Sequence, residues 1–169
     1  MKNVIIGVVA AGVLAIVLMA SQREKTQPEK PQPQASRVST PAESGWLVDY
    51  KKAQEQAKSD KKLLLLNFTG SDWCPGCIML ARDVFATEQF KDYANKNFVL
   101  VEIDFPRSRL QRPEVAEQNQ TLAEHFGIQV FPTVVILNSD GKKIGGLIGY
   151  DPDAGVKGYI AELEKFKKG

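Results

Sequence analysis

The chain has two cysteines, Cys74 and Cys77, both inside the stretch FTGSDWCPGCIML that runs from Phe68 to Leu80. Three kinds of chemistry use this spacing: a disulfide staple, half of a metal site, or a redox pair. A staple across so short a loop removes little entropy from the unfolded chain, so it stabilises weakly. A structural zinc site takes four ligands. His125 is the sole histidine, so a Cys/His metal site would have to be shared between two copies of the chain. A redox pair needs one acidified thiol and a second within reach. If Cys74 opens a helix, unpaired backbone N–H groups and the positive end of the helix dipole favour its thiolate. Each unit of such a shift corresponds to about 1.4 kcal/mol. Cys77, one turn along and deeper, can then close a ring with Cys74. In that reading Cys74 attacks a substrate disulfide and Cys77 releases the mixed disulfide.

The flanking sequence supplies the elements such a pair requires. LLLLNF, from Leu63 to Phe68, is a continuous apolar run bounded by charge and by Gly70, the pattern of a buried parallel strand. Helical spacing follows from Cys77 to Phe85, and TEQFKDYANKN reads as a second short helix. FVLVEID (Phe98 to Asp104) predicts a strand, and PRSRLQRP after it a surface loop. PEVAEQNQTLAEHFG predicts a helix opening at Pro113 and stopping at Gly127. TVVIL and KIGGLIGY, joined by the turn SDGK, predict a hairpin. The last helix carries Val156, Ile160, Leu163 and Phe166 on one stripe. Upstream, Trp46, Tyr50, Ala53 and Ala57 recur at helical spacing with Ser44 as a cap, which predicts a helix from Trp46 onward. This order of elements gives an α/β fold with a central mixed β-sheet flanked by helices on both faces.

Before residue 46 the composition changes. Val4 to Ala20 is apolar without a single charge. Its seventeen residues span roughly 25 Å as a helix, slightly short of the ~30 Å hydrocarbon core. From Ser21 to Gly45 the chain is rich in proline, glutamine and charge and cannot bury enough surface to order itself. Residues 1–21 therefore read as an export signal and membrane anchor, retained rather than cleaved, residues 22–45 as a linker, and residues 46–169 as the folded domain. The domain would then lie outside the cytoplasm, the periplasm of a Gram-negative bacterium, where disulfide chemistry is permitted; a cleaved, soluble form is the alternative. The net charge of +2, without a long basic run, gives no nucleic-acid footprint.

WCPGC from Trp73 to Cys77 after an apolar strand, with FPT at Phe131 to Thr133 entering a later one, resembles the thioredoxin family over about residues 46 to 168. The resemblance implies a thioredoxin-like fold and a thiol–disulfide oxidoreductase whose only redox group is the Cys74–Cys77 disulfide. It implies that Cys74 is the nucleophile and Cys77 the resolving cysteine. Pro132 matches the family's cis proline facing the pair, beside which extended substrate lies. Trp73 matches the tryptophan packed beside the motif, and Phe131 occupies the place that tunes substrate contact. Expected partners are disulfide-containing proteins and, for a reductant, a membrane electron-donor protein.

Several positions depart from the family pattern. Pro75 and Gly76 stand between the cysteines with no basic residue, which favours reduction or isomerisation over strong oxidation. Asn67 falls where the family keeps a buried acid, with Asp72 and Glu102 as the acids nearby. The first strand is missing or very short, and the loop at Phe105 to Asn119 is longer than in the minimal fold, a place for partner contact. His125, near a helix end, reads as structural. The rival readings are a redox-silent binding module with a permanent disulfide and a metal-carrying domain shared across a dimer.

Overall fold

A computed structural model describes residues 45–167. The predicted anchor (1–21), most of the predicted linker and the proposed Ser44 cap lie outside the described residues, as do the last two residues. Among the described residues no helix is long and apolar enough to cross a membrane.

The elements run β1 (Trp46–Leu47), α1 (Tyr50–Asp60), β2 (Leu63–Thr69), α2 (Pro75–Leu80), α3 (Glu88–Asn97), β3 (Phe98–Asp104), α4 (Pro113–Phe126), β4 (Thr133–Leu137), β5 (Lys143–Ile148) and α5 (Gly155–Phe166). The sheet order is β1-β3-β2-β4-β5. β1 and β2 pair parallel with β3, whereas β4 pairs antiparallel with both β2 and β5. This is the predicted mixed sheet, and β2, its middle strand, leads directly to the cysteines.

Alternation along the strands sorts the core into two layers. Leu65, Leu100, Val134 and Ile136 face Leu80 of α2, Val84 just after it, Phe90 of α3 and Leu163 of α5. Leu64, Leu66, Val99, Val101 and Ile103 face Ala53 and Ala57 of α1 and Leu122 of α4.

The predicted helix from Trp46 is corrected here. Trp46–Leu47 is a two-residue strand, and α1 begins at Tyr50, capped by Asp49, whose side chain accepts from the Lys52 N–H. Trp46 packs against Phe85 in one layer, with ring centroids 5.0 Å apart, whereas Ala53 and Ala57 belong to the other. Residues on opposite sides of a sheet cannot share one helical stripe, whatever their spacing. α2 also differs from expectation: it passes into a π-helical turn over Ala81–Phe85. Such turns insert a residue into the helical ladder, and here Val84 and Phe85 are both buried.

Candidate active site

The redox turn forms where β2 ends. The Trp73 and Cys74 N–H groups both donate to the Gly70 carbonyl, at 3.3 and 2.9 Å, bending the chain from strand into helix. Gly70 is required by proximity: a Cβ there would run into the Trp73 indole. Pro75 occupies the first helical turn, where its missing N–H costs nothing.

Cys74 is the N-cap of α2, and its Sγ accepts from the Cys77 N–H at 3.3 Å. Cys74 and Cys77 are joined in a disulfide, with Cα atoms 5.3 Å apart. Both are well covered, 5% and 2% exposed, so Cys77 is only marginally the deeper. A backbone N–H donating to a cysteine sulfur favours the charged over the neutral form of that group in general. The Phe131–Pro132 peptide bond is cis. Pro132 faces the turn closely enough that a Cβ on Gly76, between the cysteines, would stand 3.4 Å from its Cδ. Trp73 meets Phe131 edge-on at 5.8 Å, and Phe131 in turn meets Phe105 at 5.3 Å. The five residues singled out in the sequence, Trp73, Cys74, Cys77, Phe131 and Pro132, thus converge at one end of the sheet. His125 does not join them; it stacks edge-on against Phe126.

Asn67 is buried, and its Oδ1 has no hydrogen-bond partner. Its register partner on β3 is Glu102. Burial, and then repulsion from Asp104, push the Glu102 carboxyl above the usual range, with Arg109 pulling the other way. Asp72 is used differently. It accepts from the Arg107 and Ser108 N–H groups and from the Ser108 hydroxyl. Those bonds, the hydroxyl first, lower its pKa to about 2.

What the sequence did not reveal is a hub at Asp104, 3% exposed at the end of β3. Its carboxylate accepts from the Ser71 N–H at 2.9 Å, the Ser71 hydroxyl at 2.7 Å and the Arg109 guanidinium at 2.5 Å. Its carbonyl accepts from Gln111 and from buried Asn119. The Trp73 indole N–H donates to the neighbouring Phe105 carbonyl at 2.7 Å. The arginine-rich loop after β3 is therefore tied to the redox turn. The available signal was an acid closing a mostly apolar strand ahead of a run of arginines. Among the described residues, no group of three or more His, Cys, Asp or Glu side chains could hold a metal ion.

The chain is similar to known proteins over most of the described residues. Residues 50–164 match the model of the thioredoxin-like domain, and the chain belongs to that family. A protein of Chlamydia pneumoniae called disulfide bond reductase DsbH is 32% identical over 135 residues, covering 80% of each chain. The solved structure of a DsbH oxidoreductase superposes with a TM-score of 0.68 at 32% identity, over 73% of this chain and 83% of the other. A thioredoxin from Thermus thermophilus, 21% identical, shares the fold with a TM-score of 0.54 over 69% of this chain and 82% of its own. With its Cys-x-x-Cys disulfide on this scaffold, the chain is a thiol–disulfide oxidoreductase. Neither rival reading gains support from these likenesses.

Proposed function

We propose that the chain reduces or isomerises protein disulfides outside the cytoplasm, with Cys74 as nucleophile and Cys77 as resolving cysteine. The observation that carries this reading is the Cys77 N–H aimed at the Cys74 sulfur at the start of α2, opposite cis Pro132. In the reduced protein the Cys74 thiolate attacks one sulfur of a substrate disulfide. The substrate S–S bond breaks, a mixed disulfide forms, and the first substrate thiolate leaves and takes up a proton. Cys77 then loses its proton and attacks the Cys74 sulfur, releasing the second substrate thiol. Two electrons have passed to the substrate, and the Cys74–Cys77 disulfide remains. A membrane dithiol protein serving as electron donor would restore the reduced pair.

Backbone beside Pro132 receives the extended substrate chain, with Trp73 and Phe131 forming the apolar wall next to it. The direction of electron flow rests on the uncharged Pro75-Gly76 pair and on likeness to a protein called a disulfide bond reductase. Export rests on the apolar N-terminal segment. Cys74→Ser should abolish insulin-disulfide reduction. Cys77→Ser should accumulate mixed disulfides on Cys74, and mass spectrometry of the trapped proteins reads out the substrates. Retained reductase activity in Cys74→Ser would remove the proposal.

A further inference from the structure

The loop between β3 and α4 carries three arginines, Arg107, Arg109 and Arg112. Two of them have carboxylate partners: Arg109 pairs with buried Asp104 at 2.5 Å, and Arg112 with Glu114 at 3.0 Å. Arg107 has none among the described residues. Its guanidinium instead lies over the Trp73 ring, 3.6 Å from the ring centroid, and Trp73 immediately precedes Cys74. The loop holds it there firmly. Asp72 accepts from the backbone N–H of Arg107 itself and of Ser108, and Trp73 donates to Phe105 two residues earlier. A guanidinium held over an indole this way can still offer its N–H groups to a planar, bidentate acceptor.

We propose that Arg107 is a specificity-determining residue that receives a carboxylate of the substrate chain next to its disulfide, so that acidic flanks are preferred. Asp72, the acid nearest it in these contacts, is engaged by the Arg107 and Ser108 N–H groups and the Ser108 hydroxyl rather than by the guanidinium. Exposed apolar side chains occur in the same loop and on α2, Leu110 at 101% and Ile78 at 46%. A guanidinium without a carboxylate partner of its own distinguishes substrates by charge, whereas apolar contacts bind any extended chain. The inference rests on the reductase reading and deepens it by naming the class of substrate.

The test uses two disulfide-bridged peptides identical except for Glu or Gln beside the bridged cysteine, placed on each side in turn. The reduced protein should show a kcat/KM about two- to fivefold higher for the Glu peptide, the range of an exposed ion pair, carried by KM and weakened by added salt. Arg107→Gln should bring the ratio close to one, Arg107→Lys should keep part of it, and Arg107→Glu should reverse it toward a Lys-flanked peptide. Equal rates for the two peptides with the unaltered protein overturn the inference alone. A preference that survives in Arg107→Gln, or a fall in kcat for both peptides with the ratio intact, also overturns it, since the arginine then merely covers Trp73. A protein that reduces neither peptide overturns the reductase reading together with this inference.

Discussion

The two faces of the sheet use the same strands for different ends. On the face toward α1 and α4, β2 and β3 present Leu64, Leu66, Phe68, Val99, Val101 and Ile103, apolar from end to end. On the face toward α2, the same strands begin as Leu63, Leu65, Phe98 and Leu100 and finish as Asn67, Thr69, Glu102 and Asp104. The change happens within two residues and falls beside the cysteines. One face is an uninterrupted dry layer; the other gives up apolar burial at its site end for groups that hold a turn, a loop and a proton-binding carboxyl. A parallel strand covered on both sides ordinarily reads as apolar throughout, so the polar ends mark where chemistry has displaced packing.

If that division holds, the largest stability loss should come from the dry face. Leu66→Ala, at a fully buried position, should cost about 2–5 kcal/mol by leaving a cavity, seen as a lower urea midpoint. The protein that remains folded should keep its reductase rate, and a loss of rate without a loss of stability would break the comparison. Asn119→Ala should cost less, about 1–3 kcal/mol, because it removes a buried donor to the Asp104 carbonyl. Limited proteolysis should then cut the loop after β3 first. Glu102→Gln should have the smallest effect, with a definite sign. Burial raises this carboxyl, so the native state holds its proton more tightly than the unfolded chain does. Stability is therefore lost as pH climbs from the unfolded value toward the native one. The Gln variant should exceed the parent in stability at neutral pH and match it near about pH 4, where the unfolded carboxyl also begins to protonate. Urea titrations at the two pH values check it, and a gap of equal size at both would remove the burial argument.

Much of this arrangement was legible in the sequence because local signals and tertiary structure agree there. The runs Leu63 to Phe68 and Phe98 to Asp104, Pro113 at a helix start, Gly127 at its stop, and the SDGK turn each became the element expected. The cis bond at Pro132 and its position facing Gly76 of the cysteine turn also agree with the resemblance carried by WCPGC and FPT. Trp46 misled because helical spacing does not record which side of a sheet a residue joins. The π-helical turn was hidden because ARDVF has the composition of any amphipathic helix. The arginine loop read only as a surface loop because its partners Ser71, Asp72 and Trp73 are distant in sequence and become neighbours only when β2 and β3 pair.

The Asp104 hub has a consequence for anyone redesigning the protein. Loop exchange is commonly treated as a modular operation, with the donor segment cut at the nearest strand ends. Here such a cut would sever bonds running to Ser71, Arg109, Gln111 and Asn119 from a single residue. The smallest transplantable piece is therefore discontinuous: Ser71 through Cys77 together with Asp104 through Asn119. A graft that takes only one of the two would import half a joint.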